Sequence, residues 1–352
     1  MAERTTVGAG RTVRAGVGRG DGGAVATTAA TSWRRWAPFA GAAALTLLFA
    51  AGVLLYDNRL PVGSEGWRTI VGMRLTSVGT IVVVAFCQGV GTLVFHTATS
   101  NRILTPSILG FDALYRVIQT ALVFVFGAGA IAATDGLPKI ALQSLLMVAV
   151  ATALYGWLFS GRRANLHVLL LVGVVLGMAF GSLSTFMQRL LTPSEFDILS
   201  ARLFGNISAS NVSYLPWAAG VCVVVGAVLW RRRHVLDVVA LGRETATNLG
   251  VNHRREVLLA LILVAVLISV STSLVGPMTF FGFVVATLTY QLVATSRHAL
   301  MLPGVALLAT AVLLGAYFVL RHVFYAGGMI SVIIELVGGL VFLIHLLRKG
   351  LR

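Results

Sequence analysis

Twelve acidic residues, seven histidines and two cysteines are the first candidates for acid–base, nucleophilic or metal chemistry in this 352-residue chain. Their spacing argues against each. The histidines (His96, His167, His234, His253, His298, His322 and His345) are scattered, with neither an HExxH nor any other paired ligand spacing, so no metal site is expected. Most fall at loop edges, where a solvated or interfacial imidazole is the expectation. Cys87 and Cys222 lie inside apolar runs and read as small buried hydrophobes rather than a disulfide framework. Neither Lys139 nor Lys349 follows a glycine, so there is no phosphate-cradling GxxxxGK[ST] loop, and no serine sits in GxSxG. No catalytic residue and no cofactor is expected, and the chain does not read as an enzyme.

What remains is charge in costly places and one polar island. Glu335 falls well inside the last apolar run, where a carboxylate is expensive. It reads either as a pathway-lining or proton-linked group, or as a protonated or Arg-paired group at a helix interface. Asp112 and Arg116, four apart, read as an ion pair on one helix face. The island runs from Arg231 to Arg255 and holds six arginines: Arg231, Arg232, Arg233, Arg243, Arg254 and Arg255. Within it Leu241, Thr245 and Leu249 recur at four-residue spacing, with Gly242 and Gly250 bracketing a single short amphipathic helix.

The elements that position these groups follow from composition. The chain is 57% hydrophobic and 11% charged, with a mean hydropathy of +0.90, against about 25% charged residues in a soluble domain. Such a chain cannot cover a water-facing surface, whereas runs of about 20 apolar residues span a bilayer as helices that satisfy their own backbone. The fold expected is an all-α polytopic membrane protein. Ten spans are predicted near 36–56, 70–97, 110–133, 138–160, 166–190, 212–230, 256–275, 280–296, 301–320 and 328–347. Residues 1–35, rich in Gly, Ala, Thr and Arg, are expected to form a disordered, basic cytoplasmic tail that is not a cleavable signal peptide. The ten-span body is then 36–350.

With the N-terminus inside, nineteen Lys and Arg fall on the cytoplasmic side and seven outside, leaving Arg116 within the third span. That bias predicts cytoplasmic N- and C-termini. The net charge of +15 is accordingly read as loop charge, not as a nucleic-acid surface. Gly173, Gly177 and Gly181 in the fifth span form a small-xxx-small stripe for close helix packing. Two stretches break the helical pattern at membrane depth: 101–110, containing Pro106 and Gly110, and Gly276-Pro277-Met278. Broken helices are tolerated only against protein or a wet cavity, so both are candidate parts of a pathway.

These motifs together resemble the permease subunits of bacterial ABC importers for iron-siderophore complexes, the family that includes the cobalamin permease. Arg74 opens the second span, Gln88 lies further in, and NRILTPSILGFDALY follows, similar to the family's N-P-L-A-x-P-x-x-L-G element in its ferric-siderophore form. LGRETATNLGV (241–251) is similar to L-G-x-E-x-A-x-x-L-G-V, and GPMTFFGFVVATLTYQL (276–292) to G-P-I-x-F-V-G-L-x-V-P-H. GGMISVIIELVGGLVFLIHLLRKG (327–350) is similar to the closing span. The chain departs from the family at Ala286 and Thr287 in place of Pro-His, at Met329 and Ile330 in place of L-P-x-G, and at Ser77 in place of a second outward arginine.

The resemblance implies a cobalamin-permease-like fold of about ten helices with broken or re-entrant segments, in the cytoplasmic membrane of a bacterium. It implies a second permease subunit, a paralogue rather than a self-copy, together with a cytoplasmic ATPase dimer and an extracytoplasmic siderophore-binding lipoprotein. Leu241, Gly242, Glu244, Thr245, Ala246, Leu249 and Gly250 become the ATPase-coupling segment, and Arg74 and Arg321 the docking points for the binding protein. Gln88, Pro106, Gly110, Pro277, Phe280 and Glu335 become pathway-lining candidates. Membrane lipid is the remaining partner. The alternative reading is an ion-coupled secondary transporter, for which Glu335 is the one deep acidic residue available. A partner-binding scaffold without transport would leave the broken helices unexplained.

Overall fold

The computed structural model describes residues 26–57, 60–133, 136–160, 166–204, 207, 212–293, 295–324 and 330–350. Met1–Ala37 and Pro38–Arg352 are separate compact units. The described part of the first is helical, and residues 1–25, most of the expected tail, lie outside the described residues, as do Arg59, Arg162, Arg163 and the start of the closing motif at 327–329. The chain forms α1 (Ala26–Leu55), α2 (Glu65–Thr99), α3 (Phe111–Ala133), α4 (Leu137–Ser160), α5 (Leu166–Gln188), α6 (Pro193–Leu203), α7 (Leu215–Arg231), α8 (Arg233–Val239), α9 (Arg243–Asn248), α10 (His253–Val275), α11 (Phe281–Leu292), α12 (His298–His322) and α13 (Ile330–Gly350). No strand occurs among the described residues.

Each of the ten predicted spans contains a helix, but the count of ten is only approximate. Among the described residues six helices are long and apolar enough to cross a membrane, or seven if α7 and α8, bent by 64° at their junction, count as one. The 12 residues of α11 extend about 18 Å against a hydrocarbon thickness of ~30 Å. In α3 the helix is interrupted at Gly127, where φ is 75° and ψ 155°. The sequence reading also missed α6. Its signal was present as Thr192-Pro-Ser-Glu195, a capping box in which the Glu195 carboxylate accepts from the Thr192 backbone N–H at 3.0 Å.

The helices divide into an inner and an outer set. In α2, α10 and α12, 78%, 67% and 50% of the spanning window is buried, against 11% in α1 and α5 and 17% in α4. α2 is the axis: α10, α11, α12 and α7 all pack on it. Its buried face carries polar side chains that would be costly in lipid, so each needs a partner. Gln88 Nε2 donates to Ser271 Oγ of α10 at 3.1 Å. Cys87 and Cys222 are buried free thiols whose sulfurs meet at 3.2 Å between α2 and α7.

The glycine stripe of α5 is used unevenly. Gly110, at φ 96°, fits only because its neighbours also lack side chains: a Cβ there meets the Gly177 Cα at 3.1 Å and the Gly173 carbonyl oxygen at 3.2 Å. Gly181, one turn further along α5, faces open space. The stripe therefore docks the broken segment before α3 rather than another long helix. Gly177→Ala should cost about 1–3 kcal/mol through overpacking against backbone that has no room to give. Gly181→Ala should be neutral or slightly stabilising, by up to ~1 kcal/mol from helix propensity. Chemical denaturation of the two purified variants in detergent separates these outcomes; equal midpoints would remove the packing role of Gly177.

Candidate functional site

The polar island folds as two short helices rather than the single one expected. α8 turns away from α7 and is anchored by buried Leu236 and Val239. α9 follows after a tight turn. Gly242, at φ 93°, precedes α9, and this left-handed backbone is available to glycine at little cost. At the other end Gly250 N–H donates to Thr247 O and Val251 N–H to Ala246 O, both at 3.0 Å, closing a left-handed helix cap with Gly250 at φ 81°. Ala246 is fully buried and fastens α9 to the body. Leu241 and Leu249 are each 60% exposed, and Thr245 and Glu244 are exposed beside them. The result is a rigid apolar ridge on a polar rim. An ion pair between Arg232 and Glu256 ties the end of α7 to the start of α10 beneath this hairpin.

At the other end of α2 lie both predicted docking arginines. Arg74, only 7% exposed, donates through Nη1 to the carbonyl oxygens of Val53, Leu54 and Tyr56 at 3.3, 3.2 and 2.7 Å. It caps the C-terminus of α1, whose last carbonyls have no helical partner. Arg321 is half-buried and donates to Tyr317 Oη at 2.9 Å. Tyr56, whose carbonyl accepts from Arg74, also stacks its ring edge-on against His322, the residue after Arg321, with centroids 5.3 Å apart. Thr97, near the hairpin end of α2, lies about 35 Å along the helix from Arg74, enough to cross the ~30 Å of hydrocarbon.

The two predicted breaks come together in the interior. The chain after α2 runs through buried Pro106 and a 3-10 turn, Ser107–Leu109, to Gly110. α10 ends at Gly276, φ 99°, whose N–H donates to Thr272 O at 2.8 Å, and buried Pro277 leads to half-buried Phe280 at the N-cap of α11. Thr279 joins the halves: its Oγ1 is 2.8 Å from Asp112 Oδ2 and 3.3 Å from Glu335 Oε1. A hydroxyl has one proton, so it donates to one of these carboxylates at a time. The Asp112–Arg116 ion pair expected from spacing does not form among the described residues. Asp112 turns inward to Thr279, and Arg116 stays on the exposed face. Phe280 packs on α13, with its ring centroid 5.7 Å from that of Phe342. Gln88 is not part of this cluster; it serves the α2–α10 contact. Beside Gly276 a cavity of about 550 Å³ opens, lined by Gln119, Gln143, Lys139, Arg202 and Ser273 among others.

Thr279 escaped the sequence reading, and its one signal was its place directly after Gly-Pro-Met. For three of the histidines the expectation of a solvated or interfacial ring fails, whereas His234 is exposed as expected. His96, His298 and His322 are all buried, because the helix ends that carry them pack inside the subunit. His298 proves to be a junction: Asp237 Oδ1 of α8 lies 2.7 Å from its Nδ1 and accepts from its backbone N–H at 2.7 Å, and Thr97 Oγ1 of α2 lies 2.8 Å from its Nε2. No group of three or more possible metal ligands occurs among the described residues.

Known proteins share this sequence and fold. The chain is 42% identical over 316 residues to the petrobactin import system permease protein FatC of Bacillus anthracis, covering 90% of this chain and 89% of that protein. It is 38% identical over 284 residues to the petrobactin import system permease protein YclO of Bacillus subtilis (strain 168), covering 81% and 90%. A solved structure of a metal-chelate type ABC transporter in an inward-facing conformation superimposes with a TM-score of 0.74 at 20% identity, covering 88% of this chain and 98% of that one; this likeness is one of fold. The family model of the FecCD transport family matches residues 36–348. With its helical membrane body matched almost end to end, the chain belongs to the FecCD transport family and is a transport permease, not an enzyme.

Proposed function

We propose that this chain is the membrane-spanning permease subunit of an ATP-driven importer that carries a ferric siderophore across the cytoplasmic membrane. The observation that carries this reading is the hairpin of α8 and α9. An exposed apolar ridge of Leu241, Thr245 and Leu249, stiffened by Gly242, Gly250 and buried Ala246, is built for docking into a groove of a cytoplasmic ATPase. A membrane-surface helix needs no such stiffening at both ends. Petrobactin is the first chelate to test, because both of the relatives reported above are named for its import. A paralogous second permease is supported by the petrobactin import system of Bacillus anthracis, whose permease proteins FatC and FatD match at 42% and 24% identity.

In this reading the hairpin, the N-terminus and the C-terminus are cytoplasmic, as the excess of arginine on that side supports. Arg321 lies at the opposite end and is the docking point for the acidic surface of a binding protein. Arg74 holds the end of α1 in place beside it. The breaks at Pro106–Gly110 and Pro277–Phe280, with Glu335, form the hinge region that borders the pathway.

The Asp112–Thr279–Glu335 cluster is the one feature that favours an ion-coupled transporter instead. Energy source decides between them. In proteoliposomes holding the assembled complex, uptake of ferric petrobactin should stop when ATP is removed and persist when ion gradients are dissipated with ionophores; the reverse pattern would establish the ion-coupled reading. Leu241→Asp with Leu249→Asp should abolish co-purification of the ATPase, since charge at the centre of an apolar interface commonly costs several kcal/mol, about a hundredfold or more in affinity. Retention of the ATPase by this double variant would refute the docking ridge. Arg321→Glu should slow association of the binding protein at low salt by about tenfold and much less at high salt. Association rates that do not change would exclude Arg321 from the docking surface.

A further inference from the structure

We infer that Asp237 and His298 are the positioning pair that transmits movement of the coupling hairpin to the inner helices, with Thr97 as the far end of the link. The inference rests on the proposed importer function and goes beyond it. The hairpin is continuous in sequence with α7 and α10 alone, so motion of α9 reaches α2 and α12 only through contacts. Asp237 supplies such a contact. It projects from α8, between the anchors Leu236 and Val239, to the first turn of α12.

The geometry gives the link unusual definition for three side chains on three helices. One carboxylate oxygen, Oδ1, holds both the backbone N–H and the Nδ1 of His298 at 2.7 Å. α12 has no side-chain cap of its own, since its N-cap residue is Arg297. Asp237 therefore fills that role from another helix, and a carboxylate at a helix N-terminus is favoured by the backbone dipole. With its Nδ1 held, the imidazole ring has one orientation, and Nε2 then meets the Thr97 hydroxyl at 2.8 Å in the last turns of α2. His298 is 3% exposed and Thr97 is buried, while the Asp237 side chain is 29% exposed, so water competes at the Asp237 end and least at the Thr97 end. A pull on α8 moves the N-terminus of α12 and the C-terminus of α2 together. Apolar contact alone permits sliding, whereas two directional bonds through one planar ring and a third to the backbone of the same residue resist it.

Asn and Gln at position 298 separate the two halves of the link. Asparagine places its amide near the Nδ1 position and keeps a bond to Asp237 while losing Thr97; glutamine reaches the Nε2 position and does the opposite. Thr97→Val is nearly isosteric and removes the bond at α2 without opening space. The complex of this chain with its second permease, ATPase and binding protein is reconstituted in proteoliposomes with ferric petrobactin as the probe. For H298N, H298Q and T97V alike, the ATPase should co-purify in wild-type amount while iron transported per ATP hydrolysed falls about tenfold, within the ~5–150-fold range of coupling between sites.

An unchanged ratio in any of the three sinks the link at that bond. Loss of transport in strict proportion to loss of bound ATPase shows that the pair only shapes the docking surface, and that also overturns it. A variant that fails to fold is replaced in the comparison by T97V, whose melting midpoint serves as the check on integrity. Wild-type uptake that ignores ATP defeats the importer reading and the link with it; ATP-driven wild-type uptake with intact coupling in T97V defeats the link alone.

Discussion

The hydrocarbon layer offers no hydrogen bonds, so polar groups within it are costly unless they find protein partners, and α2 carries many of them on its buried face. Its 35 residues pass through the centre of the subunit with most of the spanning window covered. Arg74, Gln88 and Thr97 mark three levels along it. Each is committed to a different neighbour: the end of α1, the middle of α10 and the start of α12. Apolar packing is a weak discriminator among helices in lipid, because tails are as apolar as leucine. Directional bonds from a shared central helix therefore set which helices are neighbours and at what height.

The same demand explains why the irregular segments lie together. A backbone break near α3 and another between α10 and α11 would each expose N–H and C=O groups to lipid if they stood alone. Turned towards each other, they share Thr279, bury Pro106 and Pro277, and place Asp112 and Glu335 against one hydroxyl. Gly110 closes the arrangement on the outer side by resting on Gly173 and Gly177. The region has fewer helical bonds to break than an uninterrupted span.

The two ends of the molecule differ in kind. At the hairpin end, short helices are locked by left-handed glycine caps, an Arg232–Glu256 ion pair and the Asp237–His298 bond, and they present leucines outward. At the other end an arginine is drawn inward as a cap on α1, and the rings of Tyr56, Phe318 and His322 pack on one another at the same end. The contrast between the two ends is independent of which side faces the cytoplasm.

Class, approximate helix positions, both breaks and the glycine-bounded ridge were legible in the chain itself, because hydropathy, Pro and Gly act locally and through one dominant solvent. Leu241 and Leu249 are exposed as expected, but they flank α9 rather than ride on it, because Gly242 turns the backbone after Leu241 and Leu249 is the C-cap. What the side chains with long-range partners do was not legible. Arg74 reads as an outward arginine but serves α1; Asp112 has Arg116 at the ideal spacing and chooses Thr279, 167 residues away in sequence. His298 reads as a loop-edge histidine and joins three helices. Spacing along one helix lists the partners within reach of a side chain, but only the packing of helices distant in sequence decides which of them is near enough, and dry enough, to win the bond.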